Sequence, residues 1–131
     1  VKVLVENTAG GKNSVARYMD SIERLWEVIG HLNVGLCLDT CHTWAGGIPT
    51  IEAIKGFKKL VKKIDLIHFN DSKDGFESSR DRHENLGKGK IPKEELEYVI
   101  KNAKTDIIVE TPNGADAQKK DIAWIRRRLN K

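Results

Sequence analysis

Cysteine is nearly absent: Cys37 and Cys41 are the only two in 131 residues. A C-x3-C pair with no second pair cannot supply the ligands of a structural zinc finger. It is not the C-x-x-C spacing of a thiol redox centre either. Two reduced thiols beside a sheet, in a cytoplasmic compartment (nuclear if the source is eukaryotic), are the expectation. Long apolar runs are also missing. No stretch approaches the ~20 residues of a membrane span, and no leader pattern opens the chain, so no membrane partner is expected. An initiator methionine is lacking, and Val1 already stands in an apolar run. The true N-terminus is therefore expected elsewhere. Linker-like and low-complexity segments are absent, which predicts one domain over 1–131, long enough to bury roughly two-thirds of its unfolded surface. The net charge of +4 is carried mostly by the lysine and arginine faces of 56–63 and 126–131, which read as solvation.

What is present is a rhythm. Four apolar runs read as strands: "VKVLVE" (1–6), "VGLCLD" (34–39), "DLIHFND" (65–71) and "DIIVE" (106–110). The last three are nearly continuous in Val, Ile, Leu and Cys, as in parallel strands covered on both faces. Helical spacing fills the gaps. Val15, Tyr18, Met19, Ile22, Leu25, Trp26 and Ile29 form one stripe, with Asn13 or Ser14 placed to cap it. Ile51, Ile54, Phe57, Leu60 and Ile64 form a second, Leu96, Val99 and Ile100 a third opened by Pro92, and Ile122, Ile125 and Leu129 a fourth. The fold class is α/β, with four parallel βα units. "VLVENTAGG" (3–11) echoes "IIVETPNGA" (107–115), a sign of repeated units.

Each strand ends on metal-capable chemistry. Glu6 closes the first, and Asp39 the second with His42 just beyond. His68 stands in the third, Glu110 closes the fourth, and the loop "RDRHEN" (80–85) adds Asp81 and His83. Taken singly, each carboxylate reads as a helix cap or a solvated loop residue. His31, at a helix end, is explained by the helix dipole. Together they are harder to dismiss, because the C-terminal ends of parallel strands share one side, where ligands bind. A flat sheet spreads four ends over ~14 Å, whereas a barrel gathers them around one axis. Carboxylates and imidazoles with little thiolate suit zinc, manganese or another first-row dication. A (β/α)8 barrel needs ~250 residues, so these four units predict the C-terminal half of a TIM barrel. A second half would come from a missing segment, another copy or another chain.

"GLCLDTCH" (35–42), "IHFNDSK" (67–73) with "DRHENLGKG" (81–89), and "VEN" (5–7) with "VETP" (109–112) resemble endonuclease IV, the family-2 apurinic/apyrimidinic endonucleases. The likeness runs in order along the whole chain and corresponds to the last four βα units of that barrel. It implies a site of up to three Zn2+ ions. Glu6 matches the carboxylate bridging the first two ions. Asp39, His68 and Glu110 match the rest of the second ion's ligands, and His42, Asp81 and His83 those of the third. The two histidines completing the first ion belong to the family's N-terminal half, so the first zinc is expected to be weak or absent on this chain alone. Glu110 and Glu6 are the expected catalytic carboxylates, and Mn2+ is a possible replacement metal. The implied reaction is hydrolysis of the phosphodiester 5′ to an abasic site in double-stranded DNA during base-excision repair, leaving a 3′-hydroxyl and a 5′-deoxyribose phosphate. Clustered zinc ions suit it by lowering the pKa of bound water and clamping the attacking and leaving oxygens.

Arg82 resembles the family's phosphate-contacting arginine, and Lys88 and Lys90 in "NLGKGKIP" (85–92) are placed to position the DNA backbone. One departure stands out: Glu77 occupies a position that is usually glycine in the family, and Gly75 is expected to take over the turn. Two rivals remain. A divalent-metal sugar isomerase or epimerase of the xylose-isomerase-like barrels would use Glu6, Asp39, His68 and Glu110 but leave His42, Asp81 and His83 without a role. A non-catalytic half-barrel fragment would concern this chain alone, not its parent protein.

Overall fold

The computed structural model describes residues 1–131 and pairs the four apolar runs into one parallel sheet. In chain order the elements are β1 (Val3–Glu6), α1 (Met19–Ile29), β2 (Val34–Asp39), α2 (Thr40–Gly46), α3 (Thr50–Leu60), β3 (Leu66–His68), β4 (Asp71–Ser72), β5 (His83–Glu84), α4 (Lys93–Ala103), β6 (Asp106–Ile108) and α5 (Gly114–Leu129). The sheet order is β1-β2-β3-β6, and β4 pairs antiparallel with β5 in a separate small hairpin.

Register decides which side chains face which way. Val5 stands opposite Leu36 and Glu6 opposite Cys37; Asp39 stands opposite His68, and His68 opposite Ile108. Because strand side chains alternate, Leu36, Leu38, Ile67 and Phe69 point together toward the helices. There they join Ile22, Ile54, Phe57, Leu96, Val99 and Ile125 in one core, with Ile107 and Val109 packed against it. Each fully buried side chain of this size contributes about 1.5–3 kcal/mol, so this layer carries most of the stability. The residues between them (Glu6, Cys37, Asp39 and His68) go to the opposite face. A one-residue slip would drive the carboxylates into the apolar core, so the core itself fixes the site's register.

Helices cover one face only, and β1 and β6 are open edges. Val3 and Ile108 are exposed there. The expectation of strands covered on both faces holds for β2, which is buried from Gly35 to Asp39, and is corrected for the edge strand β6, where Asp106 and Ile108 are exposed.

Three local expectations also change, and one helix was not expected. The first helix begins at Met19, and its N-cap Tyr18 makes no side-chain cap. Ser14 is occupied instead with Thr8, their hydroxyls 2.5 Å apart, and the buried Arg17 turns inward to donate to the Gly46 carbonyl. Pro92 stands at the N-cap of α4 rather than at its first helical position. The third strand stops at His68, since Asn70 to Ser72 leaves the sheet for the hairpin. Finally, α2 follows β2 without a loop. Asp39 starts it by accepting the His42 N–H (3.0 Å), and Gly47 ends it at φ 94°, a conformation that suits glycine.

Candidate metal centre

Glu6, Asp39, His68 and Glu110 each place one ligand atom within 4.8 Å of the others'. His68 Nδ1 lies 3.1 Å from both Glu6 Oε1 and Glu110 Oε2. Three of these residues come from strand ends on the face away from the helices. Glu110 follows β6 by two residues, keeping the same parity as Ile108.

A second group stands beside the first. His42 Nε2 is 3.1 Å from Asp81 Oδ2 and 3.9 Å from Asp39 Oδ2, while His83 Nε2 is 3.1 Å from Asp81 Oδ1 and 3.6 Å from Asp39 Oδ2. His42 is carried by the first turn of α2, and Asp81 and His83 by the hairpin. Asp39 is fully buried and faces both groups.

The histidine tautomers follow from their neighbours. His42 Nδ1 lies 2.8 Å from the Asn7 carbonyl and His83 Nδ1 3.1 Å from the Glu110 carbonyl. A carbonyl only accepts, so each Nδ1 carries a proton, and the tautomer this selects leaves the ring's lone pair at Nε2. Those two Nε2 atoms are buried and have no hydrogen-bond partner. Nor does any lysine or arginine pair with Glu6, Asp39, Asp81 or Glu110, whose ionic neighbours are all histidines. Four carboxylates and two aimed lone pairs without a counter-charge fit divalent cations. With metal–ligand bonds of ~2.1 Å, tetrahedral donors stand about 3.4 Å apart; six histidine–carboxylate separations here lie between 3.1 and 3.9 Å, and the donor atoms of the first group all lie within 4.8 Å of one another.

Burial pushes the Asp39 carboxyl above the usual carboxylate range, against the pull of His42 and His83. Burial works to lower the pKa of His42, but Asp39, the Asn7 carbonyl, Asp81 and Glu6 outweigh it and leave it raised. Cys37 and Cys41 also lie against these ligands, Cys37 beside Glu6 and His68, Cys41 beside Asp81 and His83. Burial pushes both thiols up to about 12, so at neutral pH they stay protonated.

The supporting residues escaped the sequence reading. Asn7 brackets the Asp39 backbone, its Oδ1 accepting the Asp39 N–H (2.8 Å) and its Nδ2 donating to the Asp39 carbonyl (3.2 Å). Asn70 joins two ligands: Nδ2 donates to Asp39 Oδ2 and Oδ1 accepts the Glu110 N–H, both at 2.8 Å. Asp71 accepts N–H bonds from Ser72, Gly87, Gly89 and Ile91, and so holds the loop carrying Lys88 and Lys90. The only sequence signal for Asn7 and Asn70 was adjacency to a strand-end ligand, in "VEN" and "HFND".

The remaining expected residues sit apart. Lys88 and Lys90 are exposed and belong to neither donor group. Arg82 is bound to a carboxylate: Nε donates to Asp74 Oδ2 (2.8 Å) and Nη2 to Asp74 Oδ1 (2.5 Å). The expectation for the turn is overturned. Gly75 is not in the left-handed region; Glu77 itself takes φ 60°, and Ser79 takes φ 59°. Their N–H groups donate to the Trp44 and Ala45 carbonyls, which hold the loop in that shape.

Half a parallel barrel with its chemistry on the C-terminal rim defines a class, and comparison with known proteins places the chain within it. Residues 1–128 match the family described as "Xylose isomerase-like TIM barrel", and the chain belongs to that family. Within it, the resemblance is to endonuclease IV. The chain is 47% identical over 130 residues to "Probable endonuclease 4" of Mycobacterium ulcerans (strain Agy99), covering 99% of this chain and 51% of that protein. It is 48% identical over 128 residues to the protein of the same name from Mycobacterium tuberculosis (strain CDC 1551 / Oshkosh), covering 98% and 50%. The crystal structure of endonuclease IV from Thermus thermophilus superposes with a TM-score of 0.80 at 31% identity, over 98% of this chain and 50% of that one. A D-tagatose 3-epimerase-like protein shares the fold at a TM-score of 0.68 and 20% identity, over 99% and 48%. The chain thus spans about half the length of the relatives it matches.

Proposed function

We propose that this chain is the C-terminal half of a zinc-dependent apurinic/apyrimidinic endonuclease of base-excision repair, one folding unit over residues 1–131. Its partners would be abasic double-stranded DNA and an N-terminal half-barrel. The observation that carries this reading is the second donor group. Glu6, Asp39, His68 and Glu110 serve any metal-dependent barrel of this family, sugar isomerases included. His42, Asp81 and His83, with two buried unpartnered Nε2 atoms, have a use only if a further cation sits beside the first.

Glu6, Asp39, His68 and Glu110 would hold one Zn2+, and His42, Asp81 and His83 with Asp39, which belongs to both donor groups, would hold a second. Bound zinc would supply a low-pKa water and neutralise charge on the phosphate being cleaved. The chain's residues do the rest. Asn7 and Asn70 orient Asp39 and Glu110 from behind, and the carbonyls of Asn7 and Glu110 keep the Nδ1 protons of His42 and His83 in place. Glu110 Oε2 and Glu6 Oε1 flank His68 at the open rim, where either carboxylate can take a proton from an attacking water. Lys88 and Lys90, on the loop cinched by Asp71, would meet the DNA backbone without reading sequence. The ligands of a third ion are incomplete here, since Glu6 has no second pair of histidines to share.

Elemental mass spectrometry after exhaustive dialysis, paired with nicking of a duplex holding one abasic site, tests the reading. Two zinc ions per chain and EDTA-sensitive nicking once the N-terminal half is supplied are expected. One manganese or magnesium ion per chain, with no nicking, would instead favour the isomerase.

A further inference from the structure

Arg82 emerges from the hairpin between Asp81 and His83, and a guanidinium on so long a stem would ordinarily sample many rotamers. Here it is held. Asp74 takes both Nε and Nη2 in a two-point fork, leaving the Nη1 side without a hydrogen bond. Asp74 is itself anchored: its carbonyl accepts Trp44 Nε1 and Ser72 Oγ, each at 3.1 Å, and its N–H donates to Ser72 Oγ at 3.3 Å. Phe76 packs edge-on against Trp44 at 5.0 Å. The Arg82 carbonyl is pinned in turn by the Lys73 N–H at 3.0 Å.

The exposures are unequal. The Asp74 side chain is 11% exposed, and that of Arg82 55%. The acceptor is thus part of the framework and the guanidinium projects from it. Arg80 adds a second cation, with Nη1 3.7 Å from Asp74 Oδ1. One carboxylate gathers two guanidiniums, so the cluster keeps a net positive charge on the same loop and hairpin that carry Asp81 and His83. Exposed ion pairs usually contribute little, but a two-point arginine fork on an anchored carboxylate is the geometry that escapes that rule.

We propose that Asp74 is a positioning residue that pre-orients Arg82, through this fork, to present its free Nη1 edge to a DNA phosphate. This rests on the endonuclease reading above. Fixing a rotamer-rich side chain before binding removes an ordering cost equivalent to about 3- to 10-fold in affinity.

A double-mutant cycle in the metal-loaded protein, with its N-terminal half supplied, tests it. Asp74→Asn should raise KM for an abasic duplex about 3- to 10-fold, with kcat changed less than about twofold. Asp74→Glu should recover part of the loss. In an Arg82→Ala background, Asp74→Asn should add nothing. The proposal is overturned if Asp74→Asn leaves KM unchanged or lowers it, the latter meaning that Asp74 withholds Arg82 from DNA. An equal loss in the Arg82→Ala background overturns it as well. If even the parent protein fails to nick, the endonuclease reading falls separately. The same cycle, read as affinity for an undamaged duplex, then still decides whether Asp74 acts through Arg82.

Discussion

The two donor groups are built by different means. Glu6, Asp39 and His68 stand on strands whose alternation is locked by the core behind them, so register alone aims them. His42 depends on a seven-residue helix, and Asp81 and His83 on a loop and a hairpin of two-residue strands. That second group is held by polar contacts: the Asp39 cap, the carbonyls on the two Nδ1 atoms, and the backbone bonds from 77 and 79 to Trp44 and Ala45. A parallel barrel supplies the first group almost as a by-product of folding. The second requires its own scaffold, which is why it bears more heavily on function.

The largest effect is expected at the residue both groups share. Asp39→Ala removes a buried carboxylate from each group and the cap of α2. Supporting partners of metal ligands are typically worth 10- to 100-fold, and a shared ligand should exceed that, so nicking should fall by more than about 100-fold. Elemental analysis should show metal lost from both groups, along with about 1 kcal/mol of capping stability. Full metal retention would mean the groups are independent.

Separating them comes next. His83→Ala should release one equivalent of metal and leave the strand-borne group loaded, while His68→Ala should do the reverse. Each should reduce nicking by at least about 10-fold. Undiminished metal content and turnover in His83→Ala would reduce the centre to the four-residue set of an isomerase-like barrel.

The same contrast explains what the sequence made legible. Strand-borne features announce themselves: apolar runs gave the parallel sheet, and their last residues named the side chains of the first group. The loop-borne group was named by its chemistry and by the family resemblance, but its scaffold was not. Helix α2 is too short to show an apolar stripe, and its cap Asp39 had already been read as the end of a strand. Asn7 and Asn70 act across separations of more than thirty residues, which no local pattern encodes. The fork between Arg82 and Asp74 depends on where Trp44 and Ser72 hold the Asp74 backbone.

Asn70 offers the next test, because it links Asp39 to Glu110 from beneath. Asn70→Ala would leave the Glu110 N–H and Asp39 Oδ2 each short of a partner, at about 1–3 kcal/mol for a buried group. A lower denaturant midpoint should accompany about 10-fold slower nicking. A stability loss without a rate loss would assign Asn70 to the framework alone.

The smallest effect is expected where the loop carries backbone strain. Glu77 adopts φ 60°, a conformation that disfavours a side chain by about 1–2 kcal/mol, though glycine gives back part of that as chain entropy. Glu77→Gly should therefore stabilise the protein by less than about 1 kcal/mol, read as a small rise in Tm at unchanged metal content. The Glu77 side chain also lies over Gly47, where an added Cβ would come within 3.0 Å of its Cγ. Removing that cover subtracts packing, so the gain is a balance of two small terms. A stabilised variant that keeps its metal would show that the loop's shape is set by its bonds to Trp44 and Ala45. A loss of metal from the second group alone would show that the Glu77 side chain itself props up Asp81 and His83.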